Sequence, residues 1–126
     1  QHKAVSGLAT GCIIQGTRIF LVEVQALVTG ASYGNPQRVS IGFDPKKLAL
    51  IIAIIEKHLG INLRQKDVFL NMGGGIKATD TTIDAAVFAS IISSFKNIPV
   101  KPHTILLGEV DLNGYIRGVP NIQKKV

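Results

Sequence analysis

Residues 18–28 carry apolar side chains at nearly every second position, a pattern typical of a strand that buries one face. Residues 7–30 predict two long strands joined by a tight turn at Gln15-Gly16. On the second strand, Glu23 and Gln25 fall on one face. The other face carries one basic residue followed by apolar residues at every second position: Arg18, Phe20, Val22, Val24, Ala26 and Val28. A third strand is predicted from Val39 to Phe43, with its apolar residues on one side.

The next segment predicts a helix with clear end signals. Asp44 is a favourable N-cap, Pro45 fits the first helical position, and Gly60 follows the last apolar residue. The middle of this helix is apolar nearly all round, which is typical of a helix enclosed on more than one side. One stripe along the helix is less apolar than the rest and is formed by Lys46, Ala49, Ala53 and Lys57. This stripe fits a subunit contact, and burial of the helix within its own domain explains the pattern equally well.

The second half of the chain predicts one more helix between strands. A strand from Asp67 to Met72 is followed by a helix from about Thr82 to Phe95, with Thr81 and Asp84 at the spacing of a capping box. A hairpin is predicted to follow, with strands at 103–110 and 115–119. Strands precede and follow isolated helices without a regular β-α-β alternation, so the predicted fold class is α+β.

Composition restricts the classes of protein that this chain can represent. Its 126 residues fit one domain, and 46% of them are hydrophobic, so it can bury a core. Only 17% are charged, below the roughly 25% usual for soluble domains, which suggests that a partner covers part of the surface. The single cysteine, Cys12, and the absence of Cys/His metal spacing exclude a disulfide framework and a zinc motif. The longest apolar run, 48–55, is too short for a membrane helix, so a cytoplasmic location without membrane contact is expected.

Basic residues are concentrated around the first predicted helix. Five of them stand against Glu56 alone in residues 45–66, which gives this segment +4 of the net charge of +6. Such a cluster attracts phosphates and so favours a nucleic-acid partner, although a solvated helix end carries similar charge. No aromatic residues interleave with the cluster, so base stacking is not predicted.

Two motifs that could suggest catalysis do not fit. Gly73 to Lys77 lacks the spacing and the hydroxyl of a phosphate-binding P-loop. The serines of the second helix, Ser90, Ser93 and Ser94, are not in a Gly-x-Ser-x-Gly turn and are expected to cap carbonyls or face solvent.

Several segments, in order along the chain, resemble one bacterial family. They are the runs 21–28, 33–38, 47–50, 67–71, 74–77 and 108–117, among which Val-Glu-Val-Gln-Ala-Leu and Gly-Asn-Pro are the most specific. Together they resemble the C-terminal Lon-protease-like domain of the RadA (Sms) family. The resemblance implies a Lon-peptidase-like, two-layer fold similar to ribosomal proteins, with two main helices on a mixed sheet.

The resemblance also implies that residues 1–126 form a single domain from a longer protein. The family's zinc finger and RecA-like ATPase core are absent here, and the C-terminal end falls short of the family's domain end. No cofactor is therefore expected in this segment, whereas ATP, Mg²⁺ and Zn²⁺ are expected in the parent protein. The family acts as a hexameric, ATP-driven motor for branch migration in recombinational DNA repair. The implied partners are single-stranded or branched DNA, further copies of the chain, and recombinase, replication and repair proteins.

Comparison with active Lon peptidases predicts that this segment is not an enzyme. Those peptidases use a Ser–Lys dyad. Alignment through Asp80 puts Ile83 at the serine position, and alignment through Gly108-Glu109 puts Gln123 at the lysine position. Neither residue can supply its part of the dyad, so a pseudo-peptidase is expected.

The resulting hypothesis is a non-catalytic domain that binds DNA and supports oligomerisation. The residues expected to face DNA phosphates are Arg38, Lys46, Lys47, Lys57 and Arg117. The alternative is a ring-forming scaffold with no DNA contact, and an active Lon-type serine peptidase is the least favoured reading.

Overall fold

A computed structural model describes residues 5–30, 35–73, 83–101, 104–106, 108–110, 112 and 116–117. Over these residues the fold is α+β, as predicted. Its elements are β1 (Leu8–Gln15), β2 (Arg18–Gly30), β3 (Arg38–Ile41), α1 (Pro45–Leu59), β4 (Lys66–Met72), α2 (Asp84–Lys96), β5 (Ile105–Leu106), β6 (Glu109–Val110) and β7 (Ile116–Arg117). The main sheet is mixed and has the strand order β3-β4-β2-β1-β5, while β6 and β7 form a separate two-stranded sheet.

The β1–β2 hairpin forms the centre of the sheet. The two strands pair antiparallel from Leu8↔Gln25 to Gln15↔Arg18, and β2 also pairs antiparallel with β4. Residues at even positions of β2 are buried or half-buried from Phe20 to Val28, and those at odd positions from Ile19 to Leu27 are exposed. The alternation predicted from the sequence is confirmed, and it places both helices against one face of the sheet.

The end signals of α1 are confirmed. The Asp44 carboxylate accepts a hydrogen bond from the Lys46 N–H at 3.0 Å, Pro45 is the first helical residue, and Gly60 ends the helix with φ +66°. The core side of α1 carries Leu48, Ile51, Ile52, Ile54 and Ile55, all buried. The stripe predicted along the helix is exposed at each of its four positions, and Leu50 adds a further exposed residue to it.

The start of α2 differs from the prediction. The helix begins at Asp84, and its N-cap is Ile83, which makes no side-chain cap bond. The Asp84 carboxylate forms an ion pair with a lysine of α1, and the capping box stays a prediction because it depends on Thr81. The Ala85 N–H donates to the Gly108 carbonyl at 3.0 Å, so a distant backbone group caps the first turn. Thr81 and Thr82 lie outside the described residues.

The predicted strand at 103–110 is also wrong as a single element. Ile105–Leu106 pairs in parallel with β1 at the edge of the main sheet, whereas Glu109–Val110 pairs antiparallel with Ile116–Arg117. Gly108 separates the two pairs with φ +149°, a backbone conformation that glycine tolerates. The hairpin itself is confirmed over its two paired positions.

The helix layer approaches β1 most closely at Gly11. A Cβ added there would lie 2.5 Å from Ile83 Cδ1 and 2.8 Å from Ala86 Cβ. The C-terminal half of α2 is fixed by hydroxyl groups: Ser93 Oγ accepts from the Gly7 N–H, and Ser94 Oγ accepts from the Val28 N–H, each at 2.9 Å. Both ends of α2 are thus bound to the hairpin.

Gly11→Ala is expected to destabilise the chain by about 1–3 kcal/mol, because the added methyl overpacks the contact with α2. Adding Ile83→Val removes the atom at 2.5 Å and should recover part of the loss, so the two changes should be less than additive. Urea unfolding of the four chains measures this.

Gly30→Ala is the matched control, since a Cβ at Gly30 meets nothing within 4 Å. Equal effects of the Gly11 and Gly30 changes on the free energy of unfolding would contradict the packing described here.

Candidate nucleic-acid interface

Arg38 contributes to the fold through a backbone contact. Its guanidinium Nη2 donates to the Leu63 carbonyl at 3.0 Å, and the residue is half-buried. This bond joins β3 to the loop that follows α1. One of its donors is therefore engaged within the domain, which reduces what Arg38 can offer to a phosphate.

Lys47 forms an ion pair with Asp84. Its Nζ lies 3.1 Å from the Asp84 carboxylate, and the two side chains are 29% and 3% exposed. A carboxylate this deeply buried requires a nearby cation or hydrogen-bond donors to stay ionised. Lys47 thus stabilises the junction of α1 and α2, a role that the charge count alone did not indicate.

The other two lysines of α1 face solvent. Lys46 and Lys57 are exposed, and eleven positions of helix set them about 16 Å apart along one side. Arg64, in the loop after α1, is exposed as well. Lys66 Nζ lies 5.9 Å from the centre of the Phe95 ring, at cation–π distance. Of the five basic residues in segment 45–66, three are therefore exposed and accessible to a polyanion.

The structure describes the other predicted site residues only in part. Arg117 is paired with Glu109 in the backbone of the small sheet, and its side chain lies outside what the structure describes. Gln123 and Asp80 also lie outside the described residues. The structure brings Lys46 and Lys57 onto one exposed stripe, while Arg38 and Lys47 are bonded to other parts of the domain.

The position aligned with the peptidase serine lies in the core. Ile83 has no exposed surface and packs against the backbone of β1 at Gly11. The expectation that serines of α2 cap carbonyls is met by Ser90, which donates to the Val87 carbonyl at 2.8 Å, and by Ser93, which donates to the Ile98 carbonyl at 2.6 Å. Both serines are buried, so neither faces solvent.

Among the described residues, no three His, Cys, Asp or Glu side chains are grouped as metal ligands. No helix within the described ranges is long and apolar enough to cross a membrane.

Sequence reasoning missed the face of the main sheet opposite the helices. Val39 and Ile41 point to this side, 41% and 62% exposed, together with Leu27 at 56%. The signal was present in the odd positions of β2, where Ile19, Leu21 and Leu27 interrupt the polar side of the strand.

Comparison with known proteins supports the family predicted from the motifs. No protein-family model matches the chain. The chain is 43% identical over 126 residues to DNA repair protein RadA of Helicobacter pylori, a match that covers 100% of this chain. It is 44% identical over 124 residues to the RadA protein of Campylobacter jejuni and 37% identical over 124 residues to that of Escherichia coli, each match covering 98% of this chain. The predicted resemblance to RadA is confirmed.

The similarity covers a C-terminal part of RadA. The chain spans 28% of the Helicobacter pylori protein and 27% of each of the other two. The RadA-like chain therefore corresponds to little more than a quarter of its relatives, and the Lon-peptidase-like label for its fold stays a prediction.

Lys47→Met is expected to destabilise the chain by about 1–3 kcal/mol, because it removes the cation that lies 3.1 Å from the buried Asp84 carboxylate. Adding Asp84→Asn removes the buried charge and should restore part of the lost stability. The free energies of unfolding of the two single variants and the double variant measure this coupling.

Lys46→Met is the matched control on the neighbouring, exposed position, and it should change stability by less than about 0.5 kcal/mol. If the two lysine variants unfold at the same denaturant concentration, the Lys47–Asp84 pair does not stabilise the fold.

Proposed function

We propose that this chain is a non-catalytic domain of a RadA-type DNA repair protein, where it binds DNA phosphates and supports the assembly of subunits. The observation that carries the proposal is the similarity along the whole chain to proteins named DNA repair protein RadA. In the full-length protein, ATP, Mg²⁺ and Zn²⁺ belong to other segments, and ATP-driven branch migration in the cytoplasm is the activity of the whole.

The surroundings of Ile83 support the proposal that this chain has no peptidase activity. Its side chain is enclosed between β1 and α2, so that position offers neither a nucleophile nor space for a peptide. A serine peptidase needs a hydroxyl beside a base in an accessible site. We therefore expect casein incubated with the chain to stay intact, and cleavage that depends on one serine would contradict the assignment.

Contact with DNA is proposed for the exposed basic residues around α1. Lys46, Lys57 and Arg64 have side chains in solvent, whereas Lys47 and Arg38 are bonded within the domain. Lysine and arginine bind phosphates through charge, with little dependence on base sequence. This suits a protein that must act on single-stranded or branched DNA of any sequence.

Subunit assembly is the second candidate role, and the exposed stripe of α1 favours it. Ala49, Leu50 and Ala53 lie on that stripe between the two lysines, with Leu50 46% exposed. Small and apolar residues in solvent allow another surface to pack closely against the helix. A homo-oligomeric ring, hexameric in the family, would use such a contact.

The DNA role predicts that Lys46→Ala with Lys57→Ala weakens binding to a fluorescent branched DNA. Each lost phosphate contact should reduce the slope of log affinity against log salt by about 1, so the double variant should lose about 2. Fluorescence anisotropy across a salt titration measures both quantities.

Lys96→Ala with Lys101→Ala is the control, since these lysines are also exposed but lie at the end of α2 and beyond it. An unchanged salt slope in the α1 variant, or an equal loss in the control, would remove the α1 lysines from the DNA-binding surface.

A further inference from the structure

The sheet face opposite the helices carries an apolar patch that none of the described residues covers. The patch consists of Leu27, Val39, Ile41 and Phe69. Leu27, Phe69 and Val39 are direct neighbours across three strands, since Leu27 pairs with Phe69 and Phe69 pairs with Val39. These residues line a groove of about 360 Å³ together with Gln25 and Asn71. We call this surface the outer patch.

Acidic residues stand at both ends of the outer patch. Asp67 lies one step beyond Phe69 on the same face of β4, opposite Thr29, and Glu23 lies beyond Gln25 on the same face of β2. Six strand positions, from Thr29 to Glu23, separate the two ends by about 20 Å. Among the described side chains, no lysine or arginine alternates onto this face of β2, β3 or β4.

The exposed stripe of α1 has the complementary arrangement. Ala49, Leu50 and Ala53 form its apolar centre, and Lys46 and Lys57 stand at its two ends, about 16 Å apart. Flexible lysine side chains can span the small difference in length. One surface thus carries acid–apolar–acid over about the same distance as the other carries base–apolar–base.

We propose that the outer patch of one subunit binds the α1 stripe of a second copy of this chain. The two surfaces lie on opposite sides of the domain, because α1 packs on the helix face of the sheet and the patch is on the bare face. The contact is therefore head-to-tail, and repetition of such a contact closes a ring when the rotation allows. The inference rests on the assembly role proposed above and identifies the surfaces that carry it.

The same contact would compete with DNA. A lysine that pairs with a neighbour's carboxylate cannot also face a phosphate, so DNA and the neighbouring copy exclude each other at Lys46 and Lys57. Excess branched DNA should accordingly lower the oligomer fraction of the wild-type chain. Arg64, outside the stripe, stays accessible in either state.

A charge exchange between two variants tests the proposal. Lys46→Glu with Lys57→Glu makes the stripe acidic, and Glu23→Lys with Asp67→Asn makes the patch basic. Asparagine keeps an acceptor for the Gln37 N–H that Asp67 binds at 2.7 Å.

In sedimentation velocity the wild-type chain should associate with rising concentration, each variant alone should be monomeric, and their mixture should associate again. Lys96→Glu with Lys101→Glu is the control for altered net charge and should associate like the wild type.

The apolar residues of the outer patch can be tested against equally exposed apolar residues elsewhere on the same sheet face. Leu27→Ser with Ile41→Ser should abolish association, whereas Ile19→Ser with Leu21→Ser should leave it unchanged. The four residues are similarly exposed, at 56–62%, but only the first two belong to the outer patch. Circular dichroism confirms that each variant is folded.

Three outcomes would overturn the proposal. They are a wild-type chain that is monomeric at every concentration, a mixture of charge variants that does not associate, and equal effects of the two serine pairs. The first would leave the outer patch to another part of the full-length protein. DNA affinity of the same variants is measured separately, so a failed DNA role appears as unchanged affinity of the acidic-stripe variant whatever its assembly.

Discussion

The close approach of α2 to β1 at Gly11 determines much of what this domain can do. Because a Cβ there would lie 2.5 Å from Ile83 Cδ1 and 2.8 Å from Ala86 Cβ, any larger residue would force the packing of the helix to shift. The approach brings the first turn of α2 into the core, where Asp84 is 3% exposed and its carboxylate is paired with a cation. Lys47 supplies that cation from α1. A single packing constraint therefore encloses the position aligned with the peptidase serine and takes one lysine away from the surface.

The two faces of the sheet have different consequences for function. The helix face supplies the core, with Val24, Leu70 and Ile91 almost fully buried. The opposite face exposes apolar residues between acidic ends, while α1 exposes apolar residues between basic ends. The low content of charged residues, 17%, fits both the apolar core and the apolar centres of these two surfaces. In the proposed assembly, the subunit contact and DNA binding would use the same two lysines, so each is expected to weaken the other.

Local signals predicted the parts of the fold that depend on nearby residues. Asp44, Pro45 and Gly60 define α1 through contacts within a few positions, and the period of two in β2 predicts its buried face. The start of α2 could not be predicted in this way, because Asp84 is bound by Lys47 and Ala85 by Gly108, both distant in sequence. The charge count indicated the basic region correctly but could not separate exposed Lys46 from bonded Lys47. The outer patch was missed because the apolar Val39 and Ile41 of β3 lie on the exposed face of the sheet, opposite to the buried side of β2.

The first turn of α2 lies in the core, where the position aligned with the peptidase serine is enclosed. Amide hydrogen exchange at Ala85 tests it most directly, because this N–H donates to the Gly108 carbonyl at 3.0 Å in a buried turn. We expect the Ala85 amide to exchange only through global unfolding, with the same opening free energy as the central amides of β2. Exchange of Ala85 at a much lower opening free energy, while β2 stays protected, would contradict it.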